Sequence, residues 1–258
     1  MNNLNLKNIA EKLIDTFLEA GKVAKDVSHR GVKITIKADK TPVTDGDLIV
    51  DQLLRRKIKK LTPEIPVISE ETVNLEVKNI SKNFWLIDPI DGTADYIKKK
   101  DEYTLNAALI INLNPAIGIV YAPAKKRLFF SYGKNLSFEI SNGKKTTLNC
   151  SKINTKEIIA LLHSGNIPDE VLNIYEKYKV TQKIRMSSSL KFCIMAAGEA
   201  DIYSAKARAF EWDIAAGHAI LEHAGGLITT FEEKKFLYGK KNFKNLAILA
   251  KRSPSLGE

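Results

Sequence analysis

The rhythm of apolar residues changes near the middle of this 258-residue chain. Before about residue 142, strand-like runs at 104–111, 117–121 and 128–131 follow one another and predict an antiparallel meander. Beyond it, strand and helix patterns alternate, which is typical of an α/β arrangement. We therefore predict an N-terminal α+β half, residues 1–142, and a C-terminal α/β half, residues 143–258. The stretch 141–145 is a hairpin or the boundary between them.

Turn and helix signals complete this outline. Pro residues predict turns at Asn114-Pro115 and Ala122-Pro123. Apolar residues at three- and four-residue steps from Ile9 to Ala20 predict a helix that ends near Gly31. A second helix is predicted over residues 44–60. Thr44 would be its N-cap, Asp45 and Asp47 would lie in its first turn, and Leu48, Leu53 and Leu54 would face inward.

Composition narrows the class of protein. A hydrophobic content of 44% suits one large domain or two tightly joined halves, and a net charge of +10 attracts anions. No nucleic-acid-binding motif accompanies the basic groups, so we interpret most of them as solvated faces. The spacing of the two cysteines matches neither a metal site nor a disulfide framework. The N-terminal residues lack the apolar core of a secretory signal, and the longest apolar stretch is too short to span a membrane. We expect a soluble cytoplasmic protein.

One segment carries the chemistry. The apolar run 84–87 ends abruptly at Asp88, and Asp91 follows across Pro89. Two neighbouring carboxylates repel each other unless they share a proton, a basic partner or a hard divalent cation. Gly92 and Thr93 begin a predicted helix whose N-terminus can bind phosphate. The alternative is a plain turn in which the aspartates cap the helix.

Two further acidic segments favour a common site. Glu70 and Glu71 end a separate predicted strand, and Asp213 precedes a small-residue helix. Each alone has an ordinary interpretation, as an exposed turn acid or as a helix N-cap. The histidines, His163, His218 and His223, match no metal-binding spacing, and we interpret them as core or surface residues.

The motifs together resemble the inositol monophosphatase superfamily over nearly the whole chain. They are Val43-Thr44-x-x-Asp47, Ser69-Glu70-Glu71, Trp85-Leu86-Ile87-Asp88-Pro89-Ile90-Asp91-Gly92-Thr93 and Trp212-Asp213-x-Ala215-Ala216-Gly217. Three more segments look like its bacterial 3'(2'),5'-bisphosphate nucleotidase branch: Lys37-Ala38-Asp39, Tyr121-Ala122-Pro123-Ala124 and Ser188-Ser189-Leu190-Lys191-Phe192-Cys193. The resemblance implies a layered αβαβα sandwich of the sugar phosphatase type.

The resemblance also implies roles for individual residues. Two or three Mg2+ ions would be held by the side chains of Glu70, Asp88, Asp91 and Asp213 and by the carbonyl of Ile90, with Asp88 between two ions. Glu70 with Thr93 would orient the attacking water, and Asp47 is a second candidate for that task. Substrate would contact Glu70, Ile90, Asp91, Gly92, Thr93, Ser188, Ser189, Lys191 and Asp213, with Arg208 or Lys206 near a second phosphate.

The implied reaction is hydrolysis of a small phosphorylated metabolite, adenosine 3',5'-bisphosphate, to AMP and phosphate. Inhibition by Li+ and a possible homodimer follow from the same resemblance. The alternatives are an inositol 1-phosphate or other sugar phosphate monophosphatase and, less favoured, a nucleic-acid-binding module. The residues expected near the leaving group differ from those of the nucleotidase branch in three places. Ala94-Asp95 stands where the branch commonly has a lysine and a glutamate, and Asp45 adds an acid beside Asp47. Residues 204–210 lack the Pro-Arg-Phe-Gly arrangement of the nucleotidases.

Overall fold

The computed structural model describes residues 3–37, 40–75, 80–151, 157–163 and 165–257. The helices are α1 (Asn3–Arg30), α2 (Asp45–Leu61), α3 (Thr93–Ile97), α4 (Asp169–Lys177), α5 (Leu190–Ala196) and α6 (Ala215–His223). The first strands are β1 (Ile34–Ile36), β2 (Pro42–Thr44), β3 (Val67–Ser69), β4 (Phe84–Asp91), β5 (Thr104–Ile111), β6 (Asn114–Ala122) and β7 (Arg127–Ser131). The others are β8 (Ser137–Ser141), β9 (Lys144–Thr147), β10 (Ile159–Leu162), β11 (Gln182–Arg185), β12 (Ile202–Ala205), β13 (Leu227–Thr229) and β14 (Ile248–Lys251).

Most strands belong to two sheets. The large sheet has the order β3-β4-β5-β6-β7-β8-β9 and is antiparallel except for the parallel pair β3 and β4. The small sheet has the order β11-β10-β12-β14-β13, with β11, β10 and β12 parallel. Strands β1 and β2 form a separate hairpin. Strand order in the large sheet follows chain order, as the predicted meander requires.

The layers stack as helix, sheet, helix, sheet, helix. Helices α1 and α2 pack on one face of the large sheet, and α5 and α6 lie between its other face and the small sheet. Helix α4 covers the far face of the small sheet. Successive side chains of β4 point to opposite faces of the large sheet. Trp85 packs in the core under α1 and α2, whereas Phe84 packs in the core around α6. The predicted αβαβα sandwich is confirmed.

Close packing of α6 on the large sheet depends on Gly118 in β6. A Cβ atom at this position would lie 2.2 Å from the carbonyl oxygen of Ala216 and 2.8 Å from the Cβ of Ala219. Glycine therefore lets the backbones of β6 and α6 approach each other directly. This approach matters for the site, because α6 follows Asp213.

Several predicted details differ from the structure. Leu48 is 53% exposed, because Val50, Leu54 and Ile58, four residues apart, occupy the inner face of α2. Asn114 and Pro115 lie in β6, and the chain reverses one step earlier, at Asn112 and Leu113, which both have positive φ. The predicted strand end at Asp88 is also wrong, since β4 continues to Asp91 through an irregular register.

The chain between the two predicted halves forms a hairpin. Ser141 of β8 pairs with Lys144 of β9, so the large sheet continues to Thr147. The division into residues 1–142 and 143–258 stays a prediction. None of the described helices is both long and apolar enough to span a bilayer.

Candidate active site

Three carboxylates from distant parts of the chain meet beside the large sheet. A carboxylate oxygen from each of Glu70, Asp88 and Asp213 lies within 4.8 Å of the other two. Glu70 directly follows β3 and Asp88 lies in β4, and these strands are parallel neighbours. Asp213 reaches the same place from the segment before α6. The end of β3, the interior of β4 and the segment before α6 thus converge.

In the part of the chain that the structure describes, no basic side chain forms an ion pair with Asp88 or Asp213. Burial, with the nearby charges of Glu70 and Asp91, raises the pKa of Asp88 well above its usual range. Burial, followed by the charges of Asp91 and Glu70, does the same to the pKa of Asp213. Among the described residues, Asp88 Oδ1 is buried without a hydrogen-bond partner. Buried oxygens that repel one another and lack donors suit hard divalent cations, so the donor set fits Mg2+.

Asp91 lies next to this cluster and is better satisfied. Its Oδ2 accepts a hydrogen bond from the backbone N–H of Ser189. Burial raises the pKa of Asp91 to about 6, although the positive charge of Lys191 and the Ser189 N–H oppose the rise. Asp91 therefore joins the carboxylate cluster to the loop before α5.

Lys37 supplies positive charge at the edge of the cluster. Its Nζ lies 2.9 Å from Glu70 Oε1 and 2.9 Å from Glu71 Oε2. Burial raises the pKa of Glu71 to about 7 despite this contact. Neither Lys37 nor Glu71 is a predicted site residue, although both lie in motifs that carry the resemblance. Ala38 and Asp39 of the same motif lie outside the described residues.

The predicted N-cap of α2 is confirmed and faces the site. Asp47 Oδ2 accepts hydrogen bonds from the backbone N–H of Thr44, at 2.8 Å, and from its hydroxyl, at 2.5 Å. Asp47 Oδ1 lies 3.5 Å from the hydroxyl of Thr93, which donates to the carbonyl of Ile90 at 3.0 Å. Burial raises the pKa of Asp47 to about 6. Asp47 therefore caps a helix and contacts a predicted catalytic residue.

Gly92 is required by its conformation. Its φ is +90°, and a Cβ atom there would lie 3.2 Å from the carbonyl oxygen of Glu102. A side chain would be strained in this left-handed region and would narrow the space beside Ser188. The glycine of the Asp-Pro-Ile-Asp-Gly-Thr segment thus keeps the approach to Asp91 open.

The loop before α5 forms the opposite wall. Ser188 has a φ of +56°, and its carbonyl accepts a hydrogen bond from Lys191 Nζ. The hydroxyl of Ser189 is buried, 2.7 Å from Asn106 Oδ1, so its backbone N–H is the group that faces Asp91. Glu102 Oε2 accepts the N–H of Ser187 at 2.9 Å. Asn106 and Glu102 belong to no motif, and the sequence offered no signal for them.

A cavity of about 420 Å3 opens from Asp91, Gly92 and Asp213. Ser188 and Lys191 line it, and burial lowers the pKa of Lys191 to about 8. A wall of basic side chains, called the basic wall below, also lines the cavity: Lys98, Lys100, Lys206 and Arg208. The departures Ala94 and Asp95 lie in the same lining, and Asp95 pairs with Lys100 at 3.3 Å.

The layered sandwich and its carboxylate cluster define a class of enzymes that work with divalent cations. Within that class, the model of the inositol monophosphatase family matches residues 5–252. The chain therefore belongs to the inositol monophosphatase family and is a phosphoric monoester hydrolase.

Similar proteins agree on a branch of the family. The chain is 35% identical over 234 residues to the 3'(2'),5'-bisphosphate nucleotidase CysQ of Buchnera aphidicola, covering 88% of this chain and 87% of the relative. It is 31% identical over 212 residues to CysQ of Escherichia coli K12, covering 80% and 82%. The crystal structure of CysQ from Bacteroides thetaiotaomicron matches with a TM-score of 0.77 at 26% identity, covering 95% and 97%. The resemblance to this branch is confirmed.

Proposed function

We propose that this enzyme removes the 3' or 2' phosphate of a bisphosphate nucleotide, with adenosine 3',5'-bisphosphate hydrolysed to AMP and phosphate. The observation that carries the proposal is one cavity that is lined both by Asp91 and Asp213 of the acidic site and by the basic wall. A substrate with two separated phosphates satisfies both regions. Inositol 1-phosphate carries one phosphate and would leave the basic wall without a substrate anion, where Lys100 and Lys206 otherwise pair with Asp95 and Glu170. The names of the similar CysQ proteins support the same substrate class.

The metal assignment rests on the donor set. Glu70, Asp88, Asp91 and Asp213, with the carbonyl of Ile90, would hold Mg2+ ions. Bound divalent cations would neutralise the phosphate charge, lower the pKa of water and stabilise the entering and leaving oxygens. The unpaired Asp88 Oδ1 and the mutual repulsion of the acids support this assignment. The identity and number of the ions are part of the proposal.

The protein groups around Thr93 would position the attacking water. The Thr93 hydroxyl lies 3.5 Å from Asp47 and the Glu70 carboxylate belongs to the neighbouring cluster, so acceptors for the protons of water are at hand. The water oxygen would bond to phosphorus as the bond from phosphorus to the nucleotide oxygen breaks. The leaving oxygen takes up a proton, and one water is consumed for each AMP and phosphate formed.

The remaining predicted residues would bind the substrate. The backbone N–H groups of Gly92 and Thr93 would bind the scissile phosphate. Ser188 and Lys191 line the cavity, and Ser189 would act through its backbone, because its hydroxyl is bonded to Asn106. Arg208 and Lys206 would face the second phosphate. A cytoplasmic location and a homodimer remain predictions.

The decisive experiment compares substrates with and without metal. Phosphate release is measured from adenosine 3',5'-bisphosphate, inositol 1-phosphate and fructose 1,6-bisphosphate, first with Mg2+ and then with EDTA. We expect the nucleotide to have the highest kcat/KM and EDTA to abolish all release. Activity that survives EDTA would refute the metal assignment. A preference for inositol 1-phosphate would favour the sugar phosphatase alternative, and salt-sensitive RNA binding without phosphate release would favour the binding module.

Substitutions in the basic wall test the second phosphate. Arg208→Ala and Lys206→Ala should raise KM for adenosine 3',5'-bisphosphate more than KM for a nucleoside monophosphate. Lys183→Ala, an exposed lysine in β11 outside the cavity, is the matched control for lost surface charge. Equal KM changes for the two substrates would show that the basic wall does not recognise the second phosphate.

A further inference from the structure

A buried carboxylate lies two residues before the predicted metal ligand Asp213. Glu211 is 0% exposed. Its Oε2 accepts the backbone N–H of Gly239 at 2.8 Å, and its Oε1 accepts the backbone N–H of Lys240 at 2.9 Å. The ammonium of Lys240 lies 2.8 Å from Oε1. A buried carboxylate is costly unless it is bonded and paired, so these three donors tie Glu211 firmly to the loop 236–245.

The backbone around Glu211 is tied to the same loop. The Glu211 N–H donates to the carbonyl of Phe243 at 2.8 Å. Asn245 bonds two neighbouring positions, because its backbone N–H donates to Ala209 at 3.0 Å and its side-chain amide donates to the carbonyl of Phe210 at 2.6 Å. The segment before Asp213 is therefore held at consecutive residues by one loop.

These contacts lead directly to Asp213. The Phe210 N–H donates to Asp213 Oδ2 at 2.8 Å, and one carboxylate oxygen of Asp213 belongs to the cluster. Trp212 is packed against Phe210, with ring centroids 4.7 Å apart, and against Phe243, at 5.8 Å. The carbonyl of Glu211 also accepts the N–H groups of Ile214 and Ala215 at the start of α6. The orientation of Asp213 thus depends on the anchored segment.

We propose that Glu211 is a positioning residue that holds Asp213 in the metal site against the repulsion of the other acids. The inference rests on the metal site of the proposed function. Without the bonds of Glu211 to the loop, this segment would turn Asp213 away from Glu70 and Asp88. The movement would relieve the repulsion among the acids and so lower the free energy of the metal-free protein. Loss of a group that orients a metal ligand typically weakens metal binding by about 10- to 100-fold.

The test measures Mg2+ binding directly by titration calorimetry, without substrate. Glu211→Gln keeps the size of the side chain, but its NH2 group would face a backbone N–H donor, so one bond to the loop is lost. We expect the Kd for Mg2+ to rise by about 10- to 100-fold while the circular dichroism spectrum stays native. A folded Glu211→Gln protein with the wild-type Kd would overturn the inference.

Asp201 provides a matched control. It is 3% exposed, accepts the N–H of Ile159 at 2.8 Å and lies 2.9 Å from Arg252, at the end of β12 away from the cavity. Asp201→Asn should lower the Tm and leave the Kd for Mg2+ unchanged. If both variants raise the Kd equally, the effect comes from general destabilisation, and the inference fails.

A milder variant covers the case in which Glu211→Gln does not fold. Lys240→Met removes the ammonium and keeps the two backbone bonds, so its Kd for Mg2+ should be higher than that of wild type. An unchanged Kd in Lys240→Met would overturn the inference in that case. If the wild-type protein itself binds no Mg2+, the metal site of the proposed function fails, and the role of Glu211 fails with it.

Discussion

The hydroxyl of Thr93 lies 3.5 Å from Asp47 Oδ1, which joins the first turn of α2 to the start of α3. Asp47 is 1% exposed and also completes the capping box of α2 through Thr44. A group that caps a helix is held in place by that helix. The contact therefore gives Thr93 a fixed polar neighbour beside the carboxylate cluster.

The first prediction concerns that contact. Asp47→Asn should lower kcat by about 10²- to 10⁴-fold, the usual contribution of a group that receives a proton. It should cost only about 1 kcal/mol of stability, because asparagine keeps an acceptor for the cap. Asp45→Asn is the control, since Asp45 lies in the same turn but contacts Lys33 and Arg30. Steady-state kinetics that show equal kcat values for both variants would remove Asp47 from the mechanism.

The second prediction separates stability from activity at Asp213. Burial and the charges of Asp91 and Glu70 raise the pKa of Asp213, so an ionised Asp213 destabilises the metal-free protein. Asp213→Asn should raise the Tm measured in EDTA and abolish Mg2+-dependent phosphate release. Asp201→Asn should lower the Tm, because Asp201 is paired with Arg252. A lower Tm for Asp213→Asn would contradict the proposed repulsion.

A third prediction tests the ligand set at Asp91. Asp91→Asn should reduce kcat by about three orders of magnitude, equivalent to about 4 kcal/mol of transition-state stabilisation, while the fold is retained. Asparagine preserves the size of the side chain and an acceptor for the Ser189 N–H, but removes a charged ligand. Turnover close to wild type in a folded variant would exclude Asp91 from the site.

The fourth prediction concerns the packing of α6. Gly118→Ala should lower the free energy of unfolding by about 1–3 kcal/mol, the usual cost of overpacking, because the new Cβ atom would overlap the backbone of Ala216. Urea denaturation followed by circular dichroism measures the change. An unchanged midpoint would mean that β6 and α6 can separate without cost.

A fifth prediction follows from His223, whose Nδ1 accepts the N–H of Gly133 at 3.2 Å. Burial lowers the pKa of His223 to about 4, from 6.5, with the nearby His218 acting in the same direction. The unfolded chain therefore binds a proton at this histidine first as the pH falls, so the His223 contribution to stability should decline between pH 6.5 and about 4, whereas the buried acids of the site act in the opposite direction. His223→Gln should remove this contribution, so the difference in stability between variant and wild type should change with pH across that range. A difference that stays constant with pH would exclude this contribution of His223.

Local patterns predicted much of the secondary structure. Strand β5 matches the predicted residues 104–111, and the capping box of Thr44 and Asp47 is present as expected. Such features depend on alternation and on hydrogen bonds between residues three or four positions apart. Pro115 shows the limit of local rules: its neighbours continue a strand, and the reversal occurs where Asn112 and Leu113 adopt positive φ.

The site residues also include some that the sequence predicted and some that it did not. The resemblance of the motifs predicted Glu70, Asp88 and Asp213 as site residues, and the structure brings these three together. Motifs did not reveal Glu102, just before β5, or Asn106, within β5, which bond to the loop of Ser187 to Ser189. Their part in the site depends on which strand lies beside that loop.

The sequence by itself determined the run of elements, the acidic segments and the family resemblance, because each is written in neighbouring residues or in motifs along the chain. The tertiary structure alone decided that residues after β3, within β4 and before α6 share one cluster. It also decided that basic residues line the adjoining cavity and that Glu211 is buried against Lys240. These outcomes require strand order and layer packing. They arise from contacts between residues far apart in the chain, which no local pattern records.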